Sequence, residues 1–195
     1  MKETELFVNA LSKDWTLFLD RDGVINKRLP DEYVKTPLEF EFIEGVTNAL
    51  KLLSDFFDRI ILVTNQQGIG KGLMTKDDLF LVHNYMMEQI RKVGGKIDAI
   101  YFCPDLASKQ ENCRKPGSSM AIQAKNDFPE IDFSRSVMVG DTQPDIEFGK
   151  RLKMKTIYVG ELPNSTDSDF TFSSLYEFSL FLNKRNIEPE KGVKC

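Results

Sequence analysis

The sequence has few of the residues on which several common chemistries depend. Among its 195 residues there is a single histidine, and the three cysteines are an odd number at irregular spacing. Catalysis by a Ser-His-Asp or Cys-His arrangement would have to use His83, in the segment DLFLVHNYMMEQI, where apolar residues recur at helical spacing. We therefore expect a structural role for His83. Because the cysteines do not form the pattern of a disulfide framework, we expect a reducing compartment.

Long apolar runs and clusters of basic residues are also missing. No apolar stretch approaches the roughly 18 residues that a membrane helix needs, and the charged stretch MKETELFVNALSKDW is not typical of a secretory signal. The formal net charge is −4, and no run of lysine and arginine is long enough to form a basic arm. We expect a cytoplasmic, monomeric protein that binds neither nucleic acid nor membranes.

Apolar stretches of strand length alternate with amphipathic helical stretches. We predict strands at 15–20, 59–65, 97–103, 136–141 and 155–160, and helices at 44–57, 76–92, 119–128 and 143–152. The pattern from Thr75 to Asp78 is typical of a helix start, and Thr142 is placed to cap a later helix. Continuous apolar strands separated by helices predict an α/β fold, a Rossmann-like parallel sheet with helices on both faces.

The length favours one domain covering 1–195. A chain of this size, with 41% hydrophobic residues, can bury one good core. We place that core at about 15–160, and we expect a short edge strand, a closing helix and a loose tail within 161–195. The spacing between the predicted strands leaves no room for a separate cap domain.

Chemically reactive side chains lie at or just beyond the ends of the predicted strands. They are Asp20 and Asp22 after the first strand, Thr64 and Asn65 at the end of the second, Arg114 and Lys115 in the loop after the third, and Asp141 at the end of the fourth. The carboxyl ends of parallel strands meet at one edge of a sheet, where ligands gather. Carboxylates, a hydroxyl and a lysine at such an edge suit a magnesium ion and a phosphoryl group.

These residue types predict a phosphatase that acts on a small phosphorylated metabolite through a covalent intermediate. A magnesium ion between Asp20 and Asp141 would offset the repulsion between a carboxylate and a phosphate dianion. Asp20 would then act as nucleophile, and Asp22 as general acid and afterwards general base. Residues two apart in an extended chain point to the same side, so Asp22 shares the side of Asp20 while Arg21 points away.

The remaining residues are expected to bind the substrate. Thr64, the amide of Asn65 and Lys115 would hold the phosphoryl oxygens, and Asp145 would orient Lys115. The predicted loops also carry cations that would receive a second anionic group, as a sugar bisphosphate requires. These cations are Arg28, Lys71 and Arg114. For Arg28 and Lys71, simple solvation is an equally good interpretation.

Four stretches resemble the successive motifs of the haloacid dehalogenase (HAD) superfamily of phosphohydrolases: LFLDRDGVIN, VTNQQGIGKG, CRKPGSSM and VGDTQPD. The longer strings DRDGVIN, TNQQGIGKG, YFCP and CRKP are similar to the bacterial D-glycero-D-manno-heptose 1,7-bisphosphate phosphatases and their histidinol phosphatase relatives. The resemblance implies removal of the 7-phosphate from the heptose bisphosphate, with histidinol phosphate as the alternative substrate. It implies that Asp20 is the nucleophile, that Asp22 is the acid/base residue, that Asp20, the backbone carbonyl of Asp22 and Asp141 bind Mg²⁺, and that Thr64, Asn65, Arg114 and Lys115 bind the substrate.

Many of these relatives carry a structural zinc in the loop after the third strand, held by cysteines and a histidine. The corresponding residues here are Cys103, Asp105, Glu111 and Cys113. Structural zinc sites use Cys and His almost throughout. Because two of the four positions are carboxylates, we expect no structural zinc in this loop.

Two other interpretations account for part of the pattern. Response-regulator receiver domains also combine a strand-end aspartate, Mg²⁺, Thr and Lys, but they have no counterpart of Asp22 to speed turnover. A polynucleotide 3′-phosphatase would share an open site, but the acidic charge and the lack of a basic stripe argue against it.

Overall fold

In a computed structural model of the chain, residues 7, 11–30, 32–161 and 167–187 are described. The strands are β1 (Thr16–Leu19), β2 (Arg59–Asn65), β3 (Ala99–Cys103), β4 (Ser136–Gly140), β5 (Lys155–Val159) and β6 (Phe170–Phe172). The α-helices are α1 (Val46–Phe56), α2 (Gln67–Gly70), α3 (Lys76–Lys92), α4 (Ser119–Asp127), α5 (Gln143–Arg151) and α6 (Leu175–Ile187). Short 3₁₀ turns lie at Pro37–Glu39 and Phe133–Arg135.

The strands form a parallel sheet in the order β3-β2-β1-β4-β5-β6. From β1 the chain first builds outward through β2 and β3, then returns to the other side of β1 and continues through β4 to β6. The strand order therefore reverses between β1 and β4, which is where open α/β sheets bind ligands. Asp20 follows β1 and Asp141 follows β4, so both carboxylates begin at this reversal point.

Helices cover both faces of the sheet because successive side chains of each strand point to opposite sides. On one face, Leu17 and Leu19 of β1 belong to a buried cluster with residues of α1, α3 and α6. On the other face, Phe18 belongs to a cluster with residues of α4 and α5. β1 is buried along its whole length, which agrees with the continuous apolar strand predicted for a sheet covered on both faces.

The sequence-based elements are largely confirmed. The bounds of β2 and α3 match the predictions, and Thr75 with Asp78 forms the expected capping box at the start of α3. The expected edge strand and closing helix are β6 and α6. α1 begins two residues later than predicted because Gly45 takes a left-handed conformation, and α2 is an element that the sequence did not indicate. The predicted loose tail lies mostly outside the described residues, and the single-domain assignment stays a prediction.

The cysteines differ from expectation. Cys103, at the end of β3, and Cys113 form a disulfide, with their Cα atoms 5.4 Å apart. The sequence showed no pattern of a disulfide framework and did not indicate this pair, because the intervening loop folds back on the strand end in a way that the spacing of the cysteines does not reveal. Within the described residues, no helix is long and apolar enough to cross a membrane.

Candidate active site

Asp20 and Lys115 form a buried ion pair at the carboxyl end of β1. The Nζ of Lys115 lies 2.5 Å from Oδ1 of Asp20 and 2.7 Å from Oδ1 of Asp145, and it also donates to the Val63 carbonyl at 2.7 Å. Burial disfavours the charged ammonium, but the carboxylates of Asp145 and Asp20 outweigh this effect and raise the pKa of Lys115. This contact agrees with the orienting role predicted for Asp145, and the role itself stays a prediction.

Burial raises the pKa of Asp20, whereas burial by itself lowers the pKa of a lysine. Asp20 is 6% exposed, and its removal from water raises its pKa to about 7, although the Lys115 ammonium opposes this shift. A carboxylate held in this way is poorly solvated but faces a fixed positive charge. Such a group is a strong candidate nucleophile for an anionic substrate whose own charge must be offset by cations in the site.

Asp141 approaches the turn after β1 so closely that a side chain at position 23 would displace its carboxylate. Gly23 has a φ of +98°, and a Cβ there would lie 1.9 Å from Oδ2 of Asp141. Left-handed backbone is favourable for glycine and costly for other residues. The glycine of the DRDG motif therefore serves both the turn and the contact between the β1 and β4 ends.

Arg28 makes direct contact with the carboxylate of Asp141. Its Nη2 lies 2.9 Å from Oδ1 and 3.0 Å from Oδ2 of Asp141, and it also donates to the backbone carbonyl of Asp22 at 2.8 Å. Burial raises the pKa of Asp141 to about 6, and the guanidinium of Arg28 works against that rise. A cationic group thus sits between Asp141 and the Asp22 carbonyl, two groups that the resemblance assigns to a metal.

Asp22 is fixed by three side-chain donors. Arg21 and Asn26 each donate to its Oδ1 at 2.9 Å, and Gln66 donates to its Oδ2 at 3.0 Å. Burial alone would raise the pKa of Asp22, but the Arg21 charge and these hydrogen bonds outweigh burial and lower it. The carboxylate is therefore ionised and held in one orientation beside Asp20.

The prediction that Arg21 points away from the site is wrong. Its side chain is 1% exposed, and its guanidinium turns back to Asp22 through Nη2 while Nη1 lies 3.2 Å from Nε2 of His83 on α3. Alternation along an extended chain fixes the direction of the Cβ, but a long side chain can bend back to the opposite charge beside it. His83 is 4% exposed, and burial, followed by the nearby Arg21 charge, lowers its pKa to about 3.

Thr64 and Asn65 lie at the end of β2, as predicted, and face different partners. Thr64 is fully buried, and its Oγ1 accepts a hydrogen bond from Nε2 of Gln66 at 2.8 Å. The Asn65 side chain pairs with the backbone of Lys115, with its Oδ1 accepting from the Lys115 N–H at 2.9 Å. Asn65 thereby ties the loop that carries Lys115 to the end of β2.

The start of α5 completes the site. Thr142 donates its backbone N–H at 3.1 Å and its hydroxyl at 2.5 Å to Oδ2 of Asp145. A Cβ on Gly140 would lie 2.1 Å from the Asp145 Cβ, so the end of β4 must be glycine for Asp145 to reach Lys115. The cap of α5, predicted from the sequence, therefore also holds a carboxylate of the site.

A cluster of carboxylates that suits a divalent cation lies at the same place. Ligand oxygens of Asp20, Asp141 and Asp145 lie within 4.8 Å of one another. Oxygen ligands of this kind are those that Mg²⁺ prefers. A second cluster, formed by Cys103, Asp105 and Cys113, does not include Glu111, and its two sulfurs are joined in the disulfide. The zinc prediction for this loop stays a prediction.

A pocket of about 700 Å³ opens beside the carboxylates. Its wall includes Arg28, Tyr33, Lys71 and Arg114, with the Lys71 ammonium 5.4 Å from the centre of the Tyr33 ring. Gln67 joins the loops on both sides, since its Nε2 donates to the Tyr33 hydroxyl at 3.2 Å and its Oε1 accepts from Ala107 N–H at 2.6 Å. Beyond the carboxylates, the pocket therefore offers cationic groups and one aromatic ring.

The residues that hold Asp22 could not be predicted from the sequence. Asn26 and Gln66 lie inside the motifs DRDGVIN and TNQQGIGKG, but nothing in their spacing indicates a bond to one carboxylate. For His83 the sequence predicts only a structural role in a helical segment. A pattern of local sequence cannot identify a contact between residues 62 positions apart, such as that of His83 with Arg21.

Comparison with known proteins agrees with this geometry. A family model described as HAD-hydrolase-like matches residues 112–167. The D-glycero-alpha-D-manno-heptose-1,7-bisphosphate 7-phosphatase of Mycobacterium tuberculosis is 34% identical over 171 residues, which are 85% of this chain and 90% of that protein. The D-glycero-beta-D-manno-heptose-1,7-bisphosphate 7-phosphatase of Helicobacter pylori is 37% identical over 140 residues, or 71% of this chain and 79% of that protein.

A solved structure has the same fold. The D,D-heptose 1,7-bisphosphate phosphatase of B. bronchiseptica, complexed with magnesium and phosphate, matches with a TM-score of 0.77 and 26% identity, covering 88% of this chain and 99% of that one. The predicted HAD-like α/β fold and phosphatase class are therefore confirmed. With its strand-end carboxylates, its buried lysine and this similarity along most of its length, the chain belongs to the heptose bisphosphate phosphatase family of HAD hydrolases and is a phosphoric monoester hydrolase.

Proposed function

We propose that this protein removes the 7-phosphate of D-glycero-D-manno-heptose 1,7-bisphosphate through a phosphoryl group carried briefly on Asp20. The observation that carries the proposal is the buried contact of Asp20 with Lys115 beside Asp22, at the strand reversal point of the sheet. Similarity to relatives whose names state this activity supports the choice of substrate.

In the first step, a carboxylate oxygen of Asp20 attacks phosphorus, and the bond from phosphorus to the sugar oxygen breaks. Asp22 gives its proton to the departing alkoxide. In the free site the pKa of Asp22 is low, but a phosphate dianion beside it raises this pKa because like charges repel. The substrate therefore favours the protonated form of Asp22 that the step requires.

In the second step, Asp22 takes a proton from water, and the water oxygen attacks phosphorus. Inorganic phosphate leaves and the Asp20 carboxylate is restored. The three hydrogen bonds that hold Asp22 fix its orientation for both proton transfers. A receiver domain has no such group, which is why Asp22 favours a phosphatase.

The phosphoryl oxygens would be bound by Lys115, the Thr64 hydroxyl and the backbone amide of Asn65. The Lys115 ammonium is already fixed by Asp20 and Asp145, so it needs little reorganisation as negative charge develops. Asn65 supports this arrangement through its bonds to the Lys115 backbone.

The residues of the site fit a magnesium ion. The ligands would be Asp20, Asp141 and the backbone carbonyl of Asp22. Support comes from the oxygen donor set and from Arg28, whose guanidinium stands as a cation against both Asp141 and that carbonyl. When bound, the ion would supply positive charge that offsets the repulsion between the Asp20 carboxylate and the phosphate.

The second phosphate of the substrate would lie among the cations of the pocket wall. Arg114, which donates to the Asp105 carbonyl at 3.4 Å, and Lys71 both line the pocket. A planar guanidinium suits a phosphate because it can donate two parallel hydrogen bonds. These cations favour a bisphosphate over histidinol phosphate, whose other end carries an amine.

The test is a comparison of kcat/KM for the α and β anomers of the heptose bisphosphate, histidinol phosphate and a short 3′-phosphorylated oligonucleotide, with Mg²⁺ present. We expect a heptose bisphosphate to lead the panel. Asp20→Asn is the control and should remove turnover without loss of fold by circular dichroism. Equal rates for the bisphosphates and either histidinol phosphate or the oligonucleotide would contradict the substrate assignment.

A further inference from the structure

A buried chain of hydrogen bonds connects helix α3 to the acid/base carboxylate. It runs from Nε2 of His83 to Nη1 of Arg21 at 3.2 Å, and from Nη2 of Arg21 to Oδ1 of Asp22 at 2.9 Å. His83 and Arg21 are both almost fully buried. His83 does not line the pocket, so any effect of His83 on the reaction must pass through Arg21 and Asp22.

The protonation state of His83 follows from this contact. Every nitrogen of a guanidinium is a donor, so Nε2 of His83 must accept and therefore carries no proton. Burial and the adjacent Arg21 charge favour the same neutral form. His83 is thus a fixed acceptor across the pH range in which most enzymes work.

Arg21 depends on this acceptor for its orientation. Asp22 binds only one of its terminal nitrogens in the contacts described, and its Nε is a buried atom without a hydrogen-bond partner in the described part of the chain. A guanidinium held at one nitrogen can pivot about that bond. The second contact, from Nη1 to His83, fixes its plane.

We propose that His83 is a positioning residue for the reaction, which acts by holding Arg21 so that Asp22 is aimed at the oxygen of the leaving group. This inference rests on the acid/base role of Asp22 proposed above. The simpler interpretation is that His83 only fills space between α3 and the sheet. The two interpretations differ in what they predict for esters that need a general acid to different degrees.

The experiment compares phenyl phosphate with 4-nitrophenyl phosphate, whose leaving group is a much weaker base and needs little protonation. The measured quantity is kcat/KM, which follows the reaction from free enzyme to the transition state in which that group departs. The variants are His83→Leu, which has no acceptor, and His83→Gln, whose amide oxygen can replace Nε2. Asp22→Asn provides the reference for loss of the general acid.

We expect His83→Leu to lower kcat/KM for phenyl phosphate roughly tenfold more than for 4-nitrophenyl phosphate. This factor is smaller than the whole rate enhancement that a general acid supplies, because Asp22 is still present. His83→Gln should restore most of this difference. Loss of folded protein would lower both rates equally and is checked by thermal unfolding. If His83→Leu does not fold, His83→Met serves in its place, because an unbranched side chain adapts to irregular space.

Two results would overturn the inference, and they are distinguishable. If Asp22→Asn shows the selective loss but His83→Leu lowers both rates equally, His83 is a packing residue and the proposed function stands. If Asp22→Asn itself shows no dependence on the leaving group, the acid/base role of Asp22 fails and the inference fails with it.

Discussion

Gly23 illustrates how one residue can serve both the backbone and the site. The Gly23→Ala substitution would combine a positive φ with a Cβ that meets Oδ2 of Asp141 at 1.9 Å. We expect it to lower the free energy of unfolding by more than the roughly 1–2 kcal/mol that left-handed backbone costs an L residue, and to weaken Mg²⁺ binding because Asp141 must move. Urea unfolding and calorimetric Mg²⁺ titration measure the two effects.

Gly72 is the matched control. It also has a positive φ, of +70°, but nothing lies within 4 Å of the position of a Cβ. Gly72→Ala should therefore lose only the backbone contribution and bind Mg²⁺ as the wild type does. Equal losses in both variants would contradict the steric account of Gly23.

Arg28 is a residue whose partner was not expected. The sequence suggested a cation for a second anionic group of the substrate, but the guanidinium lies against Asp141 and the Asp22 carbonyl. Because Arg28 and a metal ion would compete for these oxygens, we predict that Arg28→Met binds Mg²⁺ more tightly, with a lower Kd by calorimetry in the absence of substrate.

Lys71→Met controls for the loss of one positive charge from the same pocket. Lys71 lies over the Tyr33 ring and has no described contact with Asp141. Its removal should change Mg²⁺ affinity much less than removal of Arg28. An equal gain of Mg²⁺ affinity in the two variants would mean that the loss of one positive charge from the pocket raises the affinity. Release of the Asp141 carboxylate from Arg28 would then not be the cause.

At the scale of the element, helix α5 begins with a cap that also supports the site. Thr142 donates to one oxygen of Asp145 while the other oxygen binds Lys115. We predict that Thr142→Ala loses about 1 kcal/mol of stability through the cap and also loses activity. One hydrogen bond to a charged group is worth about 1.5 kcal/mol or more, so kcat should fall at least roughly tenfold.

The capping box of α3 provides the comparison. The N–H and hydroxyl of Thr75 donate to Oδ2 of Asp78, as those of Thr142 do to Asp145, and the Thr75 hydroxyl also accepts from the Asp78 N–H. The Asp78 carboxylate has no described contact with Lys115. Thr75→Ala should lose similar stability with kcat unchanged. Urea unfolding and steady-state kinetics on both variants measure this, and a matching fall in kcat for Thr75→Ala would contradict a specific role for Thr142.

Helices and strands could be predicted wherever a pattern within the segment itself indicates them. β2 follows from a continuous apolar run, and α3 from a capping box followed by helical periodicity, so their bounds agree with the sequence. Helix α2 is only four residues long and has no periodicity to detect. Boundaries such as the start of α1 depend on a single glycine conformation, which the sequence permits but does not require.

At the scale of the whole molecule, the site was predictable in outline because parallel strands bring their carboxyl ends together. Asp20, Thr64 and Asp141 could be placed at one edge from the strand pattern alone. The contacts of Arg28 with Asp141, 113 positions apart, and of Cys103 with Cys113 could not. They depend on how loops pack against one another, which neither hydrophobic periodicity nor secondary-structure propensity indicates.

In the proposed reaction, the phosphoryl group passes from the substrate to Asp20 before it passes to water. Borohydride reduces an acyl phosphate but not a free carboxylate, so quenching the enzyme with borohydride during turnover should convert residue 20 to homoserine. Peptide mass spectrometry would detect that conversion, and we predict it only when substrate and Mg²⁺ are both present. Steady turnover with an unmodified residue 20, or with reduction at another carboxylate, would contradict the account.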